Sequence, residues 1–378
     1  MTDLPGGALA RRWRAALADP GVVHLDAAGS ACPSRPVLEA TIAHLRREAQ
    51  VGGYAAEAEA APVVERGRAH LGSLVGLPGD AVALTANATT AFTRLLGAWP
   101  LGTGARIGVL SSEYESNRLA VGALARRRGW QLVDLPVDPA GRLRLDAFAA
   151  RVTAGLELVT FPVLASQRGV VQPAEAAVGL AHQAGVPVVL DVAQAAGHVP
   201  LGDVGADAWV GTARKWLRGP RGSGWLAVAP GWAEDLVPEY PTLTGLGGTG
   251  VARLALGEAS IAARVGLTVA LDELAAADPA AVCARIAALG ALARGRLDGV
   301  GAWRVQEPLD EPSGLVTLAH PDLDPVDVAG ELLHAGIATT AIPVGRAPAD
   351  LSRGVLRVSL HAYCDTEDLD RLEFSLRR

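Results

Sequence analysis

Short apolar, β-branched runs separated by helix-length stretches recur from about residue 20 to residue 230, and this alternation limits the fold more than any other property of the chain. The runs at 22–26, 81–85, 106–110, 156–162, 186–190 and 207–211 read as strands. The run at 186–190, apolar on every residue, suits a strand covered on both faces. Helical stretches between them, at 36–50, at 62–75 with Pro62 near its first turn, and from the 86–90 turn through Trp99, predict a doubly wound, mostly parallel α/β sheet. Beyond a glycine- and threonine-rich loop at 240–250, a helix at 257–276 leads to a further helix, strands at 313–319, 337–341 and 354–360, and a closing helix. A chain of 378 residues is long enough for two cores. The expected division is an N-terminal arm at 1–20, amphipathic over 8–18, a large domain at 21–255, and a smaller α+β domain at 256–378.

Within the large domain one residue type is nearly absent. Lysine and arginine together number 34, and Lys215 is the only lysine. Arginine replaces lysine on a surface, but not as an amine that must lose its proton and attack a carbonyl. Either one lysine has survived a coding bias, or this position needs an amine. Asp191 closes the run at 186–190, where a carboxylate points into the crevice in which parallel sheets bind ligands. It is equally suited to capping a helix. An acid and an amine on neighbouring strand ends fit pyridoxal phosphate, the lysine forming the Schiff base and the acid keeping the pyridine nitrogen protonated.

Other stretches carry paired readings. Ala86-Asn87-Ala88-Thr89-Thr90 places a helix start and two hydroxyls where an anion can sit, or is an ordinary threonine-rich helix start. The turn Ala27-Ala28-Gly29-Ser30 permits close backbone approach, or is a plain surface turn. Gly52-Gly53 ends a helix and puts Tyr54 on a loop. Arg357 alternates with apolar residues in Val355-Leu356-Arg357-Val358-Ser359-Leu360, as an anion-binding fork or as an exposed strand face.

Taken together, Asp191-x-Ala193-Gln194, Thr212-Ala213-Arg214-Lys215, Gly219-Pro220-x-Gly222-x-Gly224 and the segment around Arg357 resemble the class V aminotransferase family of pyridoxal phosphate enzymes. The resemblance covers nearly the whole chain. It implies the pyridoxal-phosphate-dependent fold type I and a homodimer with shared active sites. It assigns the cofactor's phosphate to Ala88, Thr89, Thr90, Thr212 and Arg214, with Thr249 reaching the partner subunit's cofactor. Tyr114 stands where the family has a histidine on the cofactor ring and can stack in its place. Gln194 would face the phenolic oxygen, with Ser166 beside it, or Gln167 instead. The substrate's carboxylate falls to Arg357 and to backbone groups of Ala28 and Gly29, with Tyr54 toward the active site.

Cysteine desulfurases carry a sulfur-accepting cysteine upstream of that arginine, and the matching stretch at 337–348 has none. Cys32, Cys283 and Cys364 are odd in number and widely spaced, neither a disulfide framework nor a zinc pattern. Val51-Gly52-Gly53-Tyr54 and Arg214-Lys215-Trp216-Leu217-Arg218-Gly219-Pro220-Arg221-Gly222 resemble the carbon–sulfur lyases of the ergothioneine pathway. That implies β-elimination from a cysteine S-conjugate sulfoxide, hercynylcysteine sulfoxide, giving ergothioneine after reduction, with pyruvate and ammonia. An epimerase-like or desulfurase-like member of the family is the alternative. The substrate's trimethylammonium group would need an aromatic face or a carboxylate, for which Tyr54, Glu115 and Trp216 are the candidates.

A net charge of −6 and a pI near 5.8 argue against nucleic acid. No apolar stretch is long enough for a bilayer and no secretory signal opens the chain, so the expectation is a cytoplasmic protein without a membrane partner. The absence of GxGxxG after the first strand argues against a nucleotide-binding oxidoreductase. The joint presence of Lys215, Asp191 and Arg357 argues against a catalytically silent relative.

Overall fold

The structure, a computed structural model, describes residues 4–18, 21–202 and 204–377; residues 1–3, 19 and 20 of the expected arm lie outside it. Strand β1 is Val23–His24, and β2 to β8 are Val82–Thr85, Arg106–Val109, Gln131–Asp134, Leu158–Pro162, Val188–Asp191, Ala208–Thr212 and Gly224–Val228. The last seven form one sheet in the order β2-β8-β7-β6-β5-β3-β4. From β7 to β4 every pairing is parallel, and β8 runs antiparallel to both its neighbours. Six strands therefore point one way, and the C-terminal ends of β5, β6 and β7 meet along one edge.

Strands β5, β6 and β7 are buried at every position, as their largely apolar runs predict. Each Val, Leu or Phe removed from water there contributes about 1.5–3 kcal/mol. The sequence reading had not placed β4 or β8. Strand β4 is an edge strand exposed at three of four positions, so its sequence carries no continuous apolar run.

In the C-terminal part, β9 (Arg304–Val305), β10 (Leu315–Ala319), β12 (Thr340–Ile342) and β13 (Val355–Ser359) form an antiparallel sheet in the order β12-β13-β10-β9, while β11 is Ile337–Ala338. The run expected as one strand at 337–341 is thus split between β11 and β12. A helix not expected from the sequence, Pro325–His334, starts where the Asp324 side chain accepts the Val326 N–H and proline occupies the first turn.

Strand β1 pairs in parallel with β11, not with the large sheet. Trp13, in the helix Gly7–Ala15, lies 5.6 Å from the His361 ring, and Arg14 forks onto Asp368 at 2.7 and 2.9 Å. The N-terminal segment is thereby fastened to the C-terminal part.

The helix expected at 62–75 begins much earlier, as Gly53–Leu74 with Pro62 inside it. Gly52, at φ 85°, breaks the chain between that helix and Arg35–Val51, a backbone angle that favours glycine. Both helices pack on Ile261–Ala276, whose first turn is capped by Ser260. No single helix among the described residues is long and apolar enough to cross a membrane.

Candidate active site

At the C-terminal edge of the sheet a cavity of ≈ 530 Å³ opens between the ends of β5, β6 and β7. Asp191 ends β6 and forms its floor, 4% exposed. Its Oδ1 accepts the Ala193 N–H at 2.7 Å and its Oδ2 accepts Asn117 Nδ2 at 2.7 Å. The second Nδ2 proton of Asn117 goes to Glu113 Oε1 at 3.1 Å, which also accepts the Tyr114 N–H at 2.7 Å. One amide thus joins two buried carboxyl groups. Burial, then repulsion from Asp191, holds the Glu113 carboxyl well above the usual carboxylate range. Burial also raises Asp191, but the Ala193 N–H, the charge of Lys215 and the Asn117 amide pull it back. Asp191 thus stays raised, but unlike Glu113 it has an amine, a backbone N–H and an amide that favour its charged form.

Lys215 sits in the turn after β7 and is 8% exposed. That turn is held by the Arg218 N–H on the Lys215 carbonyl at 3.0 Å, the Gly219 N–H on Ala213 at 2.9 Å and the Ala31 N–H on Arg214 at 2.9 Å. Its Nζ lies 5.8 Å from the centroid of the Tyr114 ring. Burial brings the amine down to about 7; attraction to Asp191 opposes this, and repulsion from Arg214 and Arg357 adds to it. A buried lysine that gives up its proton near neutrality can act as a nucleophile or a base.

Opposite the floor, the helix Ala88–Ala98 begins at the cavity wall. Asn87 caps it by accepting the Thr90 N–H at 2.8 Å. The N–H groups of this first turn and the helix dipole favour an anion there. Strand β8 passes close beneath the turn: a Cβ on Gly224 would lie 2.4 Å from the backbone of Asn87. Only glycine lets the strand and the cradle approach this closely.

The cavity brings together Ala88, Thr89, Thr90, Tyr114 and Ser166 with Asp191, Gln194, Thr212, Arg214 and Lys215. Other expected site residues fall elsewhere. Gln167 turns away, donating to Ser112 O and Asp350 Oδ2, both at 3.0 Å. The Ala28 N–H is donated to Ser359 Oγ at 3.0 Å and the Gly29 N–H to Asp26, so both are already paired within the protein. Tyr54, 92% exposed on its helix, is not in the wall of this cavity. Thr249 directly precedes the short helix Gly250–Leu254 and is not in the wall. Trp216 is 1% exposed with its N–H on Gln194 Oε1 at 2.7 Å, which leaves no face for a trimethylammonium group. Glu115 lies half-buried in the first turn of Glu115–Arg128, outside the wall.

Arg357 is buried, not on an exposed face, and lies outside the cavity wall. It donates to Ser166 O at 2.9 Å and to Asp26 Oδ1 at 3.0 Å, and its Nε has no partner. The sequence reading gave no role to Asp26, Glu113, Asn117 or Arg221, the last of which lines the cavity. The i, i+4 spacing of Glu113 and Asn117 across a helix start was the available signal for that pair.

The residues present fit a pyridine-ring cofactor with a phosphate. A buried carboxylate faces a low-pKa amine, an aromatic ring lies on one side, and a glycine-cleared helix start receives an anion. The three cysteines do not serve this cavity. Burial pushes the Cys283 thiol up to about 12 and raises those of Cys32 and Cys364 as well.

Fold and cavity together define a class: the doubly wound sheet with a lysine and an acid at neighbouring strand ends. Residues 23–372 match the Aminotransferase class-V family, and the chain belongs to it. It is 42% identical, over 97% of its length and 92% of the other protein's, to a probable hercynylcysteine sulfoxide lyase of Mycobacterium tuberculosis (strain CDC 1551 / Oshkosh). It is 28% identical to the isopenicillin N epimerase of Streptomyces clavuligerus, covering 95% of each chain. Among solved structures, a cysteine desulfurase from Escherichia coli shares the fold at a TM-score of 0.87 and 22% identity, covering 97% of each chain.

Proposed function

We propose that this chain is a pyridoxal-phosphate-dependent carbon–sulfur lyase that cleaves hercynylcysteine sulfoxide by β-elimination. The observation that carries the reading is the Lys215 amine, brought to about 7 by burial, sharing with Asp191 a cavity that has no cysteine in its wall. The 42% identity to a probable lyase of that name supports the substrate.

The helix start at Ala88, Thr89 and Thr90, with Thr212 and Arg214, would hold the phosphate. Asp191 would hold the ring nitrogen, Tyr114 a ring face, and Gln194 with Ser166 the phenolic oxygen. When bound, the cofactor supplies an electron sink for the pair left at Cα of an amino acid. Arg357 orients the substrate carboxylate through Nε and a terminal nitrogen, a bidentate grip. The Lys215 amine then removes the Cα proton. The Cβ–S bond breaks with its electron pair on sulfur, which leaves as a sulfenate. The three-carbon remainder takes up water and gives pyruvate and ammonia. The protein works in the cytoplasm as a homodimer, in which Thr249 and Tyr54, both outside their own chain's cavity, serve the partner's. Exposed Leu243 and Leu246 on the same loop as Thr249, at 87% and 67%, support a covered interface there.

Pyruvate release across a panel of cysteine S-conjugates tests the reading. The sulfoxide should release pyruvate in step with its loss, and much faster than the thioether or free cysteine. Sulfide release from cysteine without pyruvate, or loss of Cα stereochemistry with the C–S bond intact, would assign the chain to the other branches.

A further inference from the structure

We propose that Trp216 is a positioning residue that fixes the side-chain amide of Gln194 with its Nε2 toward the cavity, so that the site offers a donor and not an acceptor to the cofactor's phenolic oxygen. The proposal rests on the cofactor reading above.

Gln194 is 3% exposed and its two amide ends have different partners. Its Oε1 accepts Trp216 Nε1–H at 2.7 Å, and its Nε2 donates to the Ala28 carbonyl at 3.1 Å. An indole N–H can only donate and a carbonyl can only accept. Turning the amide over would set N–H against N–H and oxygen against oxygen in a buried setting. One Nε2 proton remains after Ala28 is served, on a residue that lines the cavity.

The indole itself cannot turn. It lies between two imidazoles, stacked on His198 at 3.5 Å and on His361 at 5.9 Å between ring centroids. Each imidazole is pinned by backbone on both nitrogens. His198 Nδ1 faces Gln194 O at 2.8 Å, and its Nε2 accepts the Gly314 N–H at 2.7 Å. His361 Nε2 faces Trp216 O at 3.0 Å, and its Nδ1 accepts the Ala362 N–H at 2.9 Å. Each ring therefore has one donor and one acceptor nitrogen and is neutral; burial lowers both accordingly. The Ala28 carbonyl is fixed as well, through its own N–H on Ser359 Oγ. Gln194 is thus held at both ends by groups that Lys215's turn and the C-terminal part place there.

A donor to an oxyanion favours the deprotonated form, so losing it raises the pH at which the bound cofactor's visible band half-changes. The test is that titration on the cofactor-loaded protein, followed by absorbance, with borohydride mapping to show the cofactor seated on Lys215. Trp216→Phe keeps the stacked ring, removes the N–H and lets the amide turn; its midpoint should rise by about one unit. Gln194→Glu still accepts from Trp216 but cannot donate in its charged form, and should shift the midpoint in the same direction by about two units. An unchanged midpoint in folded, loaded Trp216→Phe overturns the proposal. If that variant does not fold, an unchanged midpoint in Gln194→Glu overturns it instead. A wild-type protein with no visible band and no label on Lys215 removes the cofactor reading, and the proposal with it.

Discussion

The floor and the rim of the cavity are built on opposite principles. At the floor, Asp191 has both oxygens hydrogen-bonded, and Asn117 links it to Glu113 within the protein. Glu113 Oε2 and Asn117 Oδ1 are the floor atoms left without a partner. At the rim Arg221 is exposed; behind it, outside the wall, buried Arg357 keeps an unpaired Nε, and Arg346 stands close enough to Arg357 and Arg214 to repel both. Positive charge gathers at the rim with little to neutralise it but Asp26. A preorganised floor suits chemistry that must not reorganise. An under-neutralised rim suits recognition of an anionic substrate.

Substitutions at the floor should therefore act on turnover, and those at the rim on binding. Lys215→Ala should have the largest effect, a loss of about 10³-fold or more in turnover with thermal unfolding little changed. Residual activity near wild type would move the base elsewhere. Asp191→Asn should slow turnover by about 10²-fold while the cofactor is largely retained, because the amide cannot hold the ring nitrogen protonated. Retention can be read from absorbance after gel filtration.

Arg357→Lys should lower kcat/KM by about 10- to 100-fold, mainly through KM, since an ammonium cannot make the bidentate grip. A change confined to kcat would erase the distinction between rim and floor. In the cofactor-free protein, labelling of Lys215 by an amine-reactive reagent should follow the unprotonated amine. Its rate should rise about tenfold per pH unit up to about 7 and level off above, as burial dictates. A midpoint near that of a surface lysine would contradict the buried, charged setting.

Glu113→Gln should have the smallest effect, within about threefold in turnover. A carboxyl that is already neutral loses no charge when it becomes an amide. A large loss would show Glu113 ionised, and the floor carrying two charges instead of one.

The two regions also differ in how far the sequence disclosed them. Lys215, Asp191, Gln194 and Thr212 sit at or just after strand ends, and largely apolar runs mark those ends. Glu113 and Asn117 stood in a stretch that resembles the family's, but their role appears only when the segment after β3 is laid beside the end of β6 across β5. Trp216 read as a free aromatic beside the lysine; only the packed structure shows its N–H consumed by Gln194. Tyr54 and Thr249 were placed by resemblance alone, and in a single chain both stand outside the cavity. Strand β8 grows directly out of the glycine-rich stretch that ends at Gly224 and was not set apart from it, yet its Gly224 makes room for the anion cradle.

The central claim is that one buried amine holds the cofactor and performs the chemistry. Borohydride reduction of the purified protein followed by peptide mapping tests it most directly. The account predicts loss of the visible absorbance and a single pyridoxyl group on the peptide that contains Lys215. A protein that carries no pyridoxyl group after loading, or carries it at another residue, would contradict it.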